Sequence, residues 1–189
     1  MANFTAIYDA CVFYPAQVRD LLMRVALTDL FKARWTEQIH DEWTRNLQKN
    51  RPDIDPARIQ RTRELIDASV PDCLVRNYAS HIPELVLPDP DDRHVLAAAI
   101  RCHAGVIVTY NLADFPSHVL APFGMTAQHP DEFIAHLFDL DPATVLTAVH
   151  AMRQQLKNPP LTADELLESL LKSGLIETVR LLSPMREML

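Results

Sequence analysis

Apolar residues along this chain follow two rhythms, short continuous runs and stripes at helical spacing, and the two alternate. Phe4–Tyr8 (FTAIY) is a run of the first kind ending at Asp9, and it predicts a buried strand whose C-terminal end presents a carboxylate. Pro15 suits the first turn of a helix. Val18, Leu21, Leu22, Val25, Ala26 and Leu30 then recur at helical spacing, which carries that helix to about Lys32. Thr36 is a candidate cap for a second helix reaching Lys49, with an apolar stripe at Ile39, Trp43 and Leu47. A loop over Arg51–Pro56 leads to a third helix, from Pro56 to about Ser69.

Extended pieces are expected around Cys73–Val75 and Glu84–Leu87. Pro88-Asp89-Pro90 is a stiff loop, because each proline fixes its own φ and restricts the residue before it. Asp91 or Asp92 is placed to cap a helix that runs to about Ala104, with Gly105 as its left-handed stop. Val106–Thr109 (VIVT) is a β-branched strand, Asn111 to Pro116 a turn, Met125–Gln128 a last short strand, and Pro130–Leu140 a helix. From Asp141 the character changes. A helix opens at Asp141-Pro142 and reaches about Lys157, Asn158-Pro159-Pro160 breaks it, and Thr162–Glu165 is a capping-box pattern for another. Gly174 ends that helix and a last helical stretch begins near Leu175. Strands alternating with helices predict a three-layer α/β domain with a mainly parallel central sheet over residues 1–140. An α-helical C-terminal extension then covers 141–189.

Composition adds that 189 residues can bury a core without disulfides or a structural metal. The three cysteines, Cys11, Cys73 and Cys102, form no C-x-x-C pair and read as reduced thiols. Met1 to Tyr8 lacks the basic and long apolar parts of a signal peptide, and no run approaches the roughly 18 apolar residues of a membrane span. The expectation is a soluble cytoplasmic protein with no membrane partner. The net charge of −7 opposes nucleic-acid binding by the chain as a whole, but the charge is uneven. Arg19–Arg63 carries 10 basic against 7 acidic residues, and the remainder 8 against 18.

Several sites are excluded. Three glycines, Gly105, Gly124 and Gly174, cannot write a G-x-G-x-x-G or a P-loop, and neither G-x-S-x-G nor H-E-x-x-H occurs. The histidines are scattered and read as surface or satisfied core groups. What remains is carboxylates at strand ends, where open α/β sheets form their sites: Asp9 after the first strand, Asp114 with Asn111 after VIVT, and Asp91 or Asp92 after the rigid loop. A hard divalent cation takes several oxygen ligands of this kind. Each acid also has an ordinary reading, Asp9 as a turn residue, Asp92 as a helix cap and Asp114 as an Asx-turn. Glu42 lies about 60° from Ile39 around its helix, on the apolar side, where a carboxylate needs a metal ion or an Arg as partner.

At these residues the chain resembles the PIN-domain family, and within it the VapC-type toxins of bacterial toxin–antitoxin pairs. The matching pieces are Tyr8-Asp9-Ala10-Cys11-Val12, Ile39-His40-Asp41-Glu42-Trp43, the stretch Leu87–Ala99 (LPDPDDRHVLAAA) and the stretch Val108–Pro116 (VTYNLADFP), in matching order and spacing. The similarity spans about Phe4 to Leu140, and the segment beyond resembles a helical extension found in one branch. The resemblance implies a metal-dependent endoribonuclease using one or two Mg²⁺ or Mn²⁺ ions for in-line hydrolysis of RNA phosphodiesters. Asp9, Glu42, Asp92 and Asp114 would be the acids, with Asp9 and Asp92 as central ligands. Many relatives carry Asp where Asn111 stands, and its amide oxygen remains an available ligand. Without metal, such a cluster repels itself and raises its carboxylate pKa values. Arg19, Arg24, Arg45 and Lys49 are candidates for RNA phosphate contacts, with surface salt bridging as the ordinary alternative. An antitoxin partner and a homodimer are expected. A non-catalytic PIN module binding RNA or protein is the alternative that Asn111 favours, and a DNA-acting nuclease is a third.

Overall fold

Four short parallel strands form one sheet in the order β2-β1-β3-β4. The computed structural model describes residues 4–189; Met1–Asn3, which belong to the stretch read as carrying no signal peptide, lie outside the described residues. In chain order the elements are β1 (Thr5–Tyr8), α1 (Ala10–Phe13), α2 (Ala16–Ala26), β2 (Lys32–Arg34), α3 (Glu37–Asn50), α4 (Pro56–Ser69), α5 (Arg93–Arg101), β3 (Val106–Val108), α6 (Ser117–Leu120), β4 (Thr126–Gln128), α7 (Pro130–Leu140), α8 (Pro142–Gln155), α9 (Ala163–Lys172) and α10 (Ile176–Leu182). The central strand β1 pairs Ile7 with Arg34 on one side and with Ile107 on the other, so β1 and β3 end side by side. This is the parallel α/β architecture with a helical C-terminal part that the sequence predicts.

Both faces of the sheet are covered, which is why β1 and β3 are continuous apolar runs rather than alternating ones. Ala6, Ile7, Tyr8, Ile107 and Val108 are all fully buried. Helix α5 packs beside β1 and β3 with Val95 through Ala99 wholly buried, and its three consecutive alanines let the backbones approach closely. Tyr8 stacks on Trp35 at 6.1 Å, Phe13 meets Trp35 edge-on at 5.5 Å, and Trp43 lies over Phe13 at 6.2 Å. These rings join the ends of β1 and β2 to α3. Under them His40 is fully buried, with Nε2 2.7 Å from Asp67 Oδ1 and Nδ1 accepting from Trp43 Nε1 at 2.8 Å, a satisfied core histidine as expected.

The sequence reading departs from the structure at several points. Helix α2 stops at Ala26 rather than near Lys32, and Lys32-Ala33-Arg34 forms the edge strand β2. Phe31, Ala33 and Trp35 are buried while Lys32 is exposed, a period of two hidden by its shortness. Cys73–Val75 does reach the sheet edge, through a single parallel bridge between Trp35 and Leu74, whereas Ala79–Glu84 is a 3-10 helix rather than part of an extended piece. Helix α5 ends at Arg101, not near Ala104. Its left-handed residue is His103 (φ 53°), and Gly105 instead bonds into the sheet, its N–H donating to Thr5 O at 2.9 Å. Gly174 (φ +86°) is the left-handed residue after α9, as predicted.

The C-terminal helices share one apolar core with the rest: Val145, Val149, Leu166, Leu170, Leu175 and Leu182 join the cluster that holds the sheet. Thr162 and Glu165 form the expected capping box. Helix α10 has no cap of its own from Leu175, and Asp131 of α7 supplies it from outside. The buried Asp131 carboxylate accepts from the backbone N–H of Glu177 and Thr178, both at 2.8 Å, and from Thr178 Oγ1 at 2.7 Å. Charge-assisted bonds at a helix start are among the stronger single contacts. Asp131→Ala is expected to cost about 2–3 kcal/mol in urea unfolding. A loss under about 0.5 kcal/mol, within the range of surface substitutions, would show that the tie is not structural.

Candidate metal centre

Asp9 stands at the first position past β1, directly opposite the end of β3, its N–H donating to Val108 O at 3.1 Å. It is 2% exposed. Both carboxylate oxygens are held: Oδ1 accepts from Ala10 N at 2.6 Å, and Oδ2 from Thr109 Oγ1 at 2.7 Å and Cys11 Sγ at 3.1 Å. Asp9 is therefore also the cap of α1, so the ordinary reading and the functional one coexist. Burial raises its pKa, the Thr109 and Cys11 bonds oppose that, and the nearby Glu42 charge adds to the rise.

Asp92 reaches the same end from the rigid loop. The expected role as helix cap is not what its side chain does. Asp89 caps this turn, its Oδ1 accepting from Asp91 N at 2.8 Å, and the Asp92 carboxyl makes no cap bond. Asp92 is buried, and its pKa is pushed up to about 7, first by burial and then by the charges of Asp9, Asp89, Asp114 and Glu42. The charges of the other three acids named from the sequence thus all act on Asp92, together with that of Asp89. Asp114 is half-buried on the turn after β3, and Asn111 is exposed one position before that turn. Glu42 projects from α3 with its side chain 32% exposed, and its partner is His94 rather than an Arg, Nε2 to Oε2 3.4 Å. His94 thus departs from the expectation of a surface or satisfied core histidine.

Among the described residues no Lys or Arg forms an ion pair with Asp9, Glu42, Asp92 or Asp114. Among the same residues no three His, Cys, Asp or Glu side chains are already close enough to chelate a metal ion. All-oxygen donors in uncompensated negative charge fit a hard divalent cation such as Mg²⁺ or Mn²⁺. Cavities of about 570 Å³ beside Gln17, Gln155 and Ser169 and about 610 Å³ beside Lys32 and Pro71 are lined by none of the four acids.

Of the basic candidates, Arg19 and Arg24 are engaged inside the protein. Arg19 donates to Phe13 O and lies 5.4 Å over the Trp43 ring, and Arg24 pairs with Asp20 at 3.0 Å and reaches Gln155. Arg45 and Lys49 are exposed, and they follow Glu42 at i+3 and i+7 on its side of α3. The sequence reading missed Thr109 and Cys11 as the groups that hold Asp9. The only signal available was their place beside strand ends, within the matched motifs.

With this geometry in view, comparison with known proteins defines the class. The PIN-domain family profile matches residues 5–113, more than half of the chain, and the chain belongs to the PIN-domain family. The profile of the VapC50 C-terminal domain matches residues 130–184. The chain is 43% identical over 79 residues to the protein named "Putative ribonuclease VapC50" of Mycobacterium tuberculosis (strain ATCC 25618 / H37Rv). That match covers 42% of this chain and 47% of the relative, so the chain spans about half the length of the curated relative it matches. No solved structure matches the chain.

The raised Asp92 pKa makes a stability prediction for metal-free protein. Below about pH 4 both folded and unfolded chains hold this proton; between there and about 7 only the folded chain does, so stability falls as pH rises. In EDTA, Tm should fall from about pH 5 to about pH 8, and Asp92→Asn should flatten the fall and raise Tm at the upper end. A wild-type Tm that does not fall, or a fall that Asp92→Asn leaves unchanged, would contradict the placement of these charges.

Proposed function

We propose that this chain is a metal-dependent endoribonuclease that hydrolyses RNA phosphodiester bonds, acting as the toxin of a toxin–antitoxin pair in the cytoplasm. What supports the reading is that Asp9, Glu42 and Asp114, each from a separate segment, all act on the buried Asp92, and that among the described residues no Lys or Arg pairs with any of the four. The PIN family, and the ribonuclease name carried by the relative, support the reaction class. The match of 130–184 to the VapC50 C-terminal domain supports the toxin reading.

In this reading Asp9, Glu42, Asp92 and Asp114 hold Mg²⁺ or Mn²⁺, with the Asn111 amide oxygen available as a further ligand. The bound cation supplies Lewis acidity and neutralises charge on the phosphodiester. Asp9 is the fixed point, because Thr109, Cys11 and Ala10 leave its carboxylate one orientation. Asp92, whose carboxyl is pushed up to about 7, would hold the cation as the carboxylate, so binding would be weaker at lower pH. Arg45 and Lys49, exposed beside Glu42, contact the RNA backbone. An antitoxin and a second copy of the chain complete the assembly. Among the described residues no helix is long and apolar enough to cross a membrane.

A second reading, a PIN module that binds RNA or protein without cleaving, has specific support from Asn111 in place of an acid and from the lack of a ready chelating trio among the described residues. Cleavage of RNA separates the two. The wild-type chain should cut RNA with Mg²⁺ or Mn²⁺ and stop in EDTA. Asp9→Asn and Asp92→Asn should each lower the rate about a hundred-fold or more, the loss of roughly 3 kcal/mol of transition-state stabilisation. RNA bound but left intact by the wild type, or cleavage indifferent to both substitutions, would favour the second reading.

A further inference from the structure

Glu42 is the one acid of the four that reaches the rim from a helix face rather than from the end of a strand or a loop. Nothing on α3 itself fixes its carboxylate, and among the described residues the one nitrogen that pairs with it is Nε2 of His94. His94 opens α5 two residues after Asp92, and its side chain is 4% exposed. Its Nδ1 is buried and has no hydrogen-bond partner among the described residues. A buried polar atom left unpaired gives up its hydration with nothing in return. Packing alone gives no reason to accept that cost, since an apolar side chain would fill the space without it. His40 shows the contrast, equally buried but with both ring nitrogens bonded.

We infer that His94 is a positioning residue for Glu42, holding the α3 carboxylate in register with Asp92 through the contact of Nε2 with Oε2. A carboxylate only accepts, so the tautomer that serves this role carries its proton on Nε2 and leaves Nδ1 as the orphaned acceptor. The 3.4 Å separation is longer than a formed N–H···O bond, so the two groups are in contact without a full hydrogen bond. One imidazole thereby links the two segments, α3 and the start of α5, whose acids the sequence separates by 50 residues. The role is that of an outer group that orients a ligand, and it rests on the metal-centre reading proposed above.

The test is Mn²⁺ affinity of the full chain, measured by calorimetry, for wild type, His94→Leu, His94→Gln, Glu42→Gln, the His94→Leu/Glu42→Gln double variant and Asp9→Asn, each checked for folding by thermal melting. His94→Leu is expected to weaken Mn²⁺ binding about ten-fold or more. Gln, which keeps an N–H donor at similar reach, should recover most of it, and His94→Leu should add nothing once Glu42 is Gln. If Leu at 94 prevents folding, Asn against Gln gives the same contrast, since Asn falls short of Glu42. Wild-type affinity in His94→Leu, or an equal loss with and without Glu42, would overturn the role of His94. If Asp9→Asn also binds Mn²⁺ as wild type does, the metal centre itself is wrong; if Asp9→Asn loses binding while His94→Leu does not, only the inference about His94 falls.

Discussion

Like charges taken out of water cannot stay together unless something of opposite sign joins them. In this chain the parallel sheet brings Asp9 and the turn bearing Asp114 to the ends of adjacent strands β1 and β3. Asp92 arrives on a stiff two-proline loop, and Glu42 on α3. The penalty is visible at Asp92, whose carboxyl is pushed up to about 7 by burial and by four acidic neighbours. A helix cap alone does not require burying Asp92 beside Asp9 and within reach of the Glu42 and Asp114 charges. Asp89 already performs the capping that Asp92 is placed to perform.

Much of the rest of the molecule serves to hold that arrangement against its own repulsion. The stack of Tyr8, Phe13, Trp35 and Trp43 fixes α3, and so Glu42, relative to the end of β1. The run of buried alanines in α5 draws the Asp92 segment against the sheet. Thr109 and Cys11 orient Asp9. The C-terminal helices are packed into the same core and tied back by Asp131, so they brace the domain rather than hang from it. Burial of this kind supplies the stabilisation, on the order of 25 cal/mol per Å² of apolar surface, that offsets locally unfavourable charge.

The fold was legible in the sequence wherever periodicity or residue type marked an element. The apolar stripe over 36–49, the β-branched VIVT run and the capping box at Thr162 all correspond to observed elements. Elements with neither mark were not: β2 has three residues and α1 four, too few for a period to declare itself, and neither has a β-branched run. The stop of α5 was misplaced because a non-glycine, His103, adopts the left-handed conformation that Gly105 was expected to take. At the candidate site, acid identity and strand-end position were readable, while the groups that hold the acids were not. Thr109 and His94 matter through contacts between segments far apart in the chain, and no local pattern records such a contact. The same holds for Arg19 and Arg24, whose charge is readable but whose burial against Phe13, Trp43 and Gln155 is not.

The account depends on a cation lying among acids from four segments. Anomalous diffraction from crystals grown with Mn²⁺ tests this most directly. The expected result is a peak at coordination distance from carboxylate oxygens of both Asp9 and Asp92, with Glu42 or Asp114 completing the shell directly or through water. Density at saturating Mn²⁺ that leaves these carboxylates apart and without a peak between them would contradict it.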